Sequence, residues 1–382
     1  MRTKFLIPVF ILLIAALALS ACGTPAASST EVDSNQSTNL PAGSVQINGA
    51  GATFPLPVYT EWTYAYQYVD PSVVVNYQGI GSGGGKKGII DNTIDFAGSD
   101  SLLSDDQYTQ GVDLQMYPML AGAVVNVYNI AWAKEIPDGT TLPKLVLDRQ
   151  TLVDIFNGTV NNWTDPAIVA LNPGLDGYLP DASITVAHRS DGSGTTEIFT
   201  KALTAMSTDW TAGGASSVEW PVDKAGNGVG GKGNQGVAAA VINTPNSIGY
   251  VELSYAVSNG MSFADMINKA GETVTASADS LASAMDDFAG AFDDRLNATI
   301  VDAPGAGSWP ICGYTYLILH TTSMTDMVKA QKLLEYIQWT LTDTSAGQRA
   351  ADLGYSVLPA SVRDLVIAKL AEVTVNGETV LK

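Results

Sequence analysis

The chain has 382 residues, 46% of them hydrophobic, enough for a globular body larger than one comfortable core. Its formal net charge is −19, which argues against a nucleic-acid partner and means that bulk charge will not draw in an anion. An anion site in such a chain has to rest on local dipoles and hydrogen bonds.

Taken in chain order, Arg2 and Lys4 precede an apolar stretch from Phe5 to Leu19 that is too short to span a membrane as a mature helix. Residues 1–21 read as a secretory signal peptide. It ends in Leu19-Ser20-Ala21-Cys22, which resembles a bacterial lipoprotein signal, in which the cysteine takes the lipid and becomes the new N-terminus. Without Arg2 and Lys4 the body carries 17 basic against 38 acidic residues, near −21. Residues 22–44 are rich in Ser, Thr, Ala and Pro and read as a flexible tether. With Cys22 lipidated, Cys312 has no disulfide partner and reads as a buried apolar residue.

Val73–Tyr77 is predicted as a strand, Gly85–Asn92 as a short helix and Ile94–Ala97 as a strand. A longer extended run covers Leu120–Tyr128. Ser183–Ala187 is a strand leading into a helix at Thr195–Ala205. A Gly/Asn-rich loop, 225–236, precedes a helix at Val237–Ile242. Ser247–Leu253 and Tyr314–Leu319 are further strands, and Ala330, Leu333, Leu334, Ile337 and Leu341 hold one helical face. Strands alternating with helices predict an α/β fold. The length suggests two lobes, with crossings near residues 120–128 and 312–318. The expected boundaries are 45–124 and 315–382 for lobe one and 125–314 for lobe two.

Three stretches share one design, a small polar residue at the mouth of a helix among glycines. They are Gly49-Ala50-Gly51-Ala52-Thr53-Phe54-Pro55, Gly81-Ser82-Gly83-Gly84 and Arg189-Ser190-Asp191-Gly192-Ser193-Gly194-Thr195. Thr53 fits an N-cap, with Pro55 in the first turn of a helix carrying Tyr59, Trp62 and Tyr66. Free N–H groups and the helix dipole at such ends bind anions without a lysine. Each end taken alone is also an ordinary cap or turn. Three of them beside an isolated arginine point to a convergent anion site.

These stretches, together with "NYQGIGSGGGKKGIIDNTIDFAGSD", "HRSDGSGTTEIF", "GGKGNQGVAA" and "SIGYVEL", resemble the phosphate-binding proteins of bacterial high-affinity phosphate ABC importers. The resemblance runs from residue 46 to about 365, with the motifs in the family's order. It implies a two-lobed type 2 periplasmic-binding-protein fold with the ligand in the interlobe cleft. It further implies phosphate as ligand, permease subunits of an ABC importer as partner and an extracytoplasmic, lipid-anchored location. Cofactors, metals and catalytic residues are not expected, and the protein should be a monomer.

Carried over by position, the resemblance makes Thr53 and Phe54 ligands, Phe54 through its backbone N–H. It makes Ser82 a donor and Arg189 the one full positive charge, held and partly neutralised by Asp191. Ser193, Gly194 and Thr195 form the third mouth, and Asp100 accepts a hydrogen bond from the protonated ligand. The family often has a serine where Gly83 stands and a basic residue where His188 stands. Lys86 and Lys87 read as a solvated helix face.

Two other readings compete. Gly79, Gly81 and Gly84 spell G-x-G-x-x-G, but a dinucleotide site conflicts with an exported chain, and the P-loop pattern fails at Ile80. A secreted phosphoester hydrolase would need a base for Ser193. His188 reads as a strand-end surface residue and His320 as structural. The pairs Asp286-Asp287 and Asp293-Asp294 read as solvated faces. The same fold holding another tetrahedral oxyanion remains the nearest alternative.

Overall fold

The computed structural model describes residues 43–381. The signal peptide, Cys22 and nearly all of the tether lie outside them.

Strand β1 (Val45–Gly51) opens the body. Gly49 and Gly51, expected at a helix mouth, lie in this strand. Packing explains the small residues: a Cβ at Gly49 would lie 2.1 Å from the Phe96 ring. Helix α1 (Leu56–Tyr66) begins with Pro55 as N-cap, not Thr53, and buries Val58, Tyr59, Trp62, Ala65 and Tyr66 on one face. The larger of these side chains contribute roughly 1.5–3 kcal/mol each by leaving water.

Next come β2 (Val73–Gly79), α2 (Ser82–Ile90) and β3 (Phe96–Ser99). Strand β4 (Leu114–Asn129) is 16 residues long and buried everywhere except at Asn129. Covered on both faces, it reads as a mostly apolar run, interrupted by Gln115 and Asn126, rather than an alternation. The chain continues through β5 (Thr185–Arg189), α3 (Gly194–Met206), β6 (Gly228–Gly231), α4 (Gly233–Asn243) and β7 (Ser247–Glu252). It returns in β8 (Cys312–His320) and α5 (Met327–Thr342). The stretch expected as a loop over 225–236 therefore contains a strand and the first turn of α4.

These strands lie in one curled sheet of order β2-β1-β3-β8-β4-β7-β5-β6. Residues 114–123 of β4 pair antiparallel with β8, and residues 124–129 pair with β7. The two halves of the sheet are the cores of two lobes, and β4 belongs to both. The fold is thus α/β and two-lobed.

Cys312 is buried and its Sγ lies 3.3 Å from the Ile300 carbonyl, with burial pushing its thiol up. His320 is structural, with Nδ1 at 2.6 Å from Asp113 and Nε2 at 3.0 Å from the Ile89 carbonyl. Asp287 is more than a solvated carboxylate. It accepts from the Gly305 N–H and the Ser308 hydroxyl, tying down the loop ahead of β8.

Candidate functional site

The C-terminal end of β1, the turn after β2, the end of β3 and the turn after β5 converge on the cleft between the lobes. Thr53, Phe54, Ser82, Asp100, Arg189, Ser193 and Thr195 are all at most 5% exposed there. Gly194 is buried with them.

From the first lobe, Ser82 opens α2 behind Gly81, whose φ of +88° favours glycine. A Cβ at Gly81 would also lie 2.4 Å from Asp191 Oδ2 of the second lobe. The Ser82 Oγ accepts the Asp100 N–H at 3.2 Å and the Gly194 N–H at 3.1 Å, so one hydroxyl ties the two lobes together. A second tie is the Gly83 N–H donating to the Gly192 carbonyl at 3.0 Å. The Gly83 and Gly192 backbones approach closely enough that a Cβ on either would sit 3.3 Å from the other's Cα. A serine at position 83 would crowd this contact.

From the second lobe, Arg189 is 4% exposed and gives Asp191 a bidentate pair, Nε at 2.7 Å and Nη2 at 2.6 Å. Burial raises the Asp191 carboxyl, but the bonds and charge of Arg189 win and hold it below its ordinary value. The Gly233 N–H adds a third bond at 3.1 Å. The Arg189 Nη1 faces Thr195 Oγ1 at 3.4 Å. The guanidinium fork is thus spent on Asp191, leaving one edge toward the cleft. Ser193 is the N-cap of α3, its Oγ accepting the Thr196 N–H at 3.1 Å. Its hydroxyl serves the helix first.

Asp100 is a second acid among these donors, and it has no paired arginine of its own. Burial pushes its carboxyl up to about 7, against the pull of Thr315, Arg189 and Ser82. Thr315 Oγ1 donates to Asp100 Oδ1 at 2.8 Å. Thr315 was not legible as a site residue. It stands at a register shift in the β8–β4 pairing, and nothing in "GYTYL" announces which face it takes.

Thr53 does not cap α1. Its Oγ1 instead accepts from the Asn234 N–H at 3.1 Å and from Asn234 Nδ2 at 2.9 Å. Its carbonyl accepts from Tyr255 Oη at 2.6 Å, and that of Phe54 from Tyr355 Oη at 2.7 Å. The Tyr355 Oη also lies 2.9 Å from Oε2 of Glu252, a fully buried acid at the end of β7 that burial pushes up to about 8. Asn234 and Glu252 were missed, although both fall inside quoted motifs. Their side chains touch the site only through other residues.

Two expectations on neighbours are overturned. His188 is not at the surface. It is 5% exposed, stacks on Trp220 at 5.0 Å, and places Nε2 2.8 Å from Asp223 Oδ1 and Nδ1 3.1 Å from the Arg189 carbonyl. On the five-residue β5 its ring is covered by Trp220, and its nitrogens take polar partners there. Lys86 is not solvated either. It is 6% exposed, its Nζ donates to the Leu102 carbonyl at 3.2 Å, and desolvation lowers its ordinary value. Lys87 does face solvent, paired with Asp91.

A donor-rich cleft between two lobes that share a crossing strand defines a two-lobed binding protein. The model of the PBP superfamily domain matches residues 24–344. The chain is 40% identical over 319 residues to the phosphate-binding protein PstS of Xylella fastidiosa (strain Temecula1), covering 83% of this chain and 82% of that one. It is 34% identical over 346 residues to PstS of Methanocaldococcus jannaschii, covering 86% and 87%. Among solved structures it resembles a high-affinity periplasmic phosphate-binding protein (PfluDING) bound with phosphate, at TM-score 0.67 and 22% identity over 85% of this chain and 93% of that one. The chain belongs to the PBP superfamily and, within it, to the family of these phosphate-binding proteins.

Proposed function

We propose that this protein captures inorganic phosphate outside the cytoplasm and delivers it to the permease of an ABC importer. One observation carries the reading: N–H and O–H groups from three turns converge in a buried cleft on one arginine and on Asp100, whose carboxylate, unlike that of Asp191, is not paired to a cation. A buried oxyanion needs every oxygen satisfied. Hydrogen bonds to charged groups contribute about 1.5–3 kcal/mol each, so many of them offset desolvation where one lysine would not. Thr53, Phe54 N–H, Ser82, Asp100, Arg189, Ser193, Gly194 and Thr195 are the proposed contacts, with Asp191 holding the arginine. Calorimetry with phosphate, sulfate and arsenate tests it. Stoichiometric uptake of phosphate far ahead of sulfate is expected, and a preference for sulfate would favour another oxyanion.

The role is binding, not turnover. The nitrogens of His188 and His320 are committed to Asp223 and Asp113 and to backbone carbonyls, so neither serves Ser193 as a base. A chromogenic phosphate ester should show no sustained release.

Lobe one comprises residues 45–124 and 315–382, and lobe two residues 125–314. The change of partner along β4 at residues 123–124 supports this division. Binding should then close a hinge. The expected result in solution scattering is a smaller radius of gyration with phosphate than without; identical curves would count against it.

The protein is a monomer tethered to the membrane through a lipid on Cys22. No helix among the described residues is long and apolar enough to cross a membrane. Cys22→Ala should release or mis-process the protein while leaving phosphate affinity within about twofold, since the tether separates lipid from body. Loss of binding would show that the tether does more than hold.

A further inference from the structure

We propose that Asn234, at the start of α4, tunes the cleft's affinity for an oxyanion by fixing which way two hydroxyl protons point. The proposal rests on the oxyanion reading above.

A hydroxyl has one proton to donate and two lone pairs to accept with. Thr53 Oγ1 receives the Asn234 N–H at 3.1 Å and Nδ2 at 2.9 Å. Thr195 Oγ1 receives Asn234 Nδ2 at 3.1 Å and Arg189 Nη1 at 3.4 Å. Both lone pairs of each hydroxyl are therefore occupied, and each O–H has only donation left to it. The amide orientation of Asn234 follows from a third contact. Its Oδ1 lies 2.9 Å from the Glu252 backbone N, which can only donate, so the NH₂ must face the threonines. Its two hydrogens then serve one threonine each. Asn234 is itself fully buried, as are both partners.

The result is a site of preset donors. Free hydroxyls adapt to either donor or acceptor ligands, whereas these two present only protons. Ligands bearing acceptors on every side are rewarded, and neutral polyols or amines meet no acceptor at either threonine. Because Asn234 and Thr195 stand on helices that follow strands of the sheet's second half and Thr53 follows β1 of the first, the full setting exists only when the two halves are together. Asn234 is a positioning residue: it acts through the two hydroxyls.

The test is a double-mutant cycle in the full chain, read by calorimetric phosphate affinity. N234A alone should weaken phosphate about 10- to 100-fold, since two charge-directed hydrogen bonds lose their orientation. In a T53V/T195V background, where the hydroxyls are gone, adding N234A should change affinity by less than about threefold. An equal loss in both backgrounds would assign Asn234 a merely structural role and overturn the proposal. N234D keeps the side-chain shape and the Glu252 contact, and it carries the test if N234A unfolds. It turns the hydroxyl protons toward itself and should weaken phosphate at least as much. Wild-type affinity in either variant overturns the role of Asn234 alone, while a wild type that takes up no oxyanion overturns both readings.

Discussion

Arg189→Met lowers phosphate affinity by a factor on the order of 10³ or more, while Lys87→Met leaves it within about threefold. Two losses add in the arginine variant. The cleft loses its one full positive charge, and the hydrogen bonds that charge makes to an anion contribute about 1.5–3 kcal/mol each. Asp191 also loses its bidentate partner while staying largely buried, which puts an uncompensated carboxylate beside the incoming anion. Arg189→Lys should recover only part of the loss, because an ammonium cannot hold Asp191 with two parallel bonds and still reach the cleft. Lys87 is the fitting control because it is exposed. Lys86, buried against the Leu102 carbonyl, would disturb packing as well as charge. Titration calorimetry on the three variants decides the point, and equal losses from Arg189→Met and Lys87→Met would remove Arg189 from the site.

Asp100→Asn narrows the preference for phosphate over sulfate by at least tenfold, about 1.4 kcal/mol, and flattens its dependence on pH. Phosphate near neutrality keeps a proton to share with the Asp100 carboxylate, whereas sulfate brings none and meets bare lone pairs. With its carboxyl pushed up to about 7, Asp100 changes state within the working range. Above that value it is ionised and repels sulfate. As the pH falls below it, the protonated carboxyl becomes a donor and sulfate is accepted more readily. The wild-type phosphate-to-sulfate ratio should therefore shrink on acidification through about 7, and the asparagine variant should show a small ratio throughout. Competition titrations between pH 5.5 and 8.5 read both effects. A ratio that is unchanged by the substitution would reduce Asp100 to a structural residue.

The elements most legible in the sequence were those whose signal is local. Glycine-flanked turns announced the openings of α2 and α3, and the apolar run of β4 was visible although its length was underestimated. What the sequence concealed is non-local. Thr53 looked like a cap because a threonine before a proline and an apolar helix usually is one. Only the fold brings Asn234, 181 residues later, to claim its hydroxyl. His188 and Lys86 were read as surface residues from their polarity, but burial is decided by which face of an element packs, and a single polar residue carries no such label. Thr315 reaches Asp100 across 215 residues through a register irregularity that no pattern of residue types encodes.

The order of strands also governs how the body can be made. The sheet's first half takes β1, β2 and β3 from the start of the chain, yet β3 finds its other neighbour in β8, more than two hundred residues further on. As the chain is made, the N-terminal segment emerges with an apolar strand edge that has nothing to pair with until Cys312–His320 arrive. The segment between, by contrast, holds β5, β6 and β7 in one continuous piece and can assemble early. Completion of the first half of the sheet therefore waits for β8, and a quick return of that strand shortens the time its edge stays open.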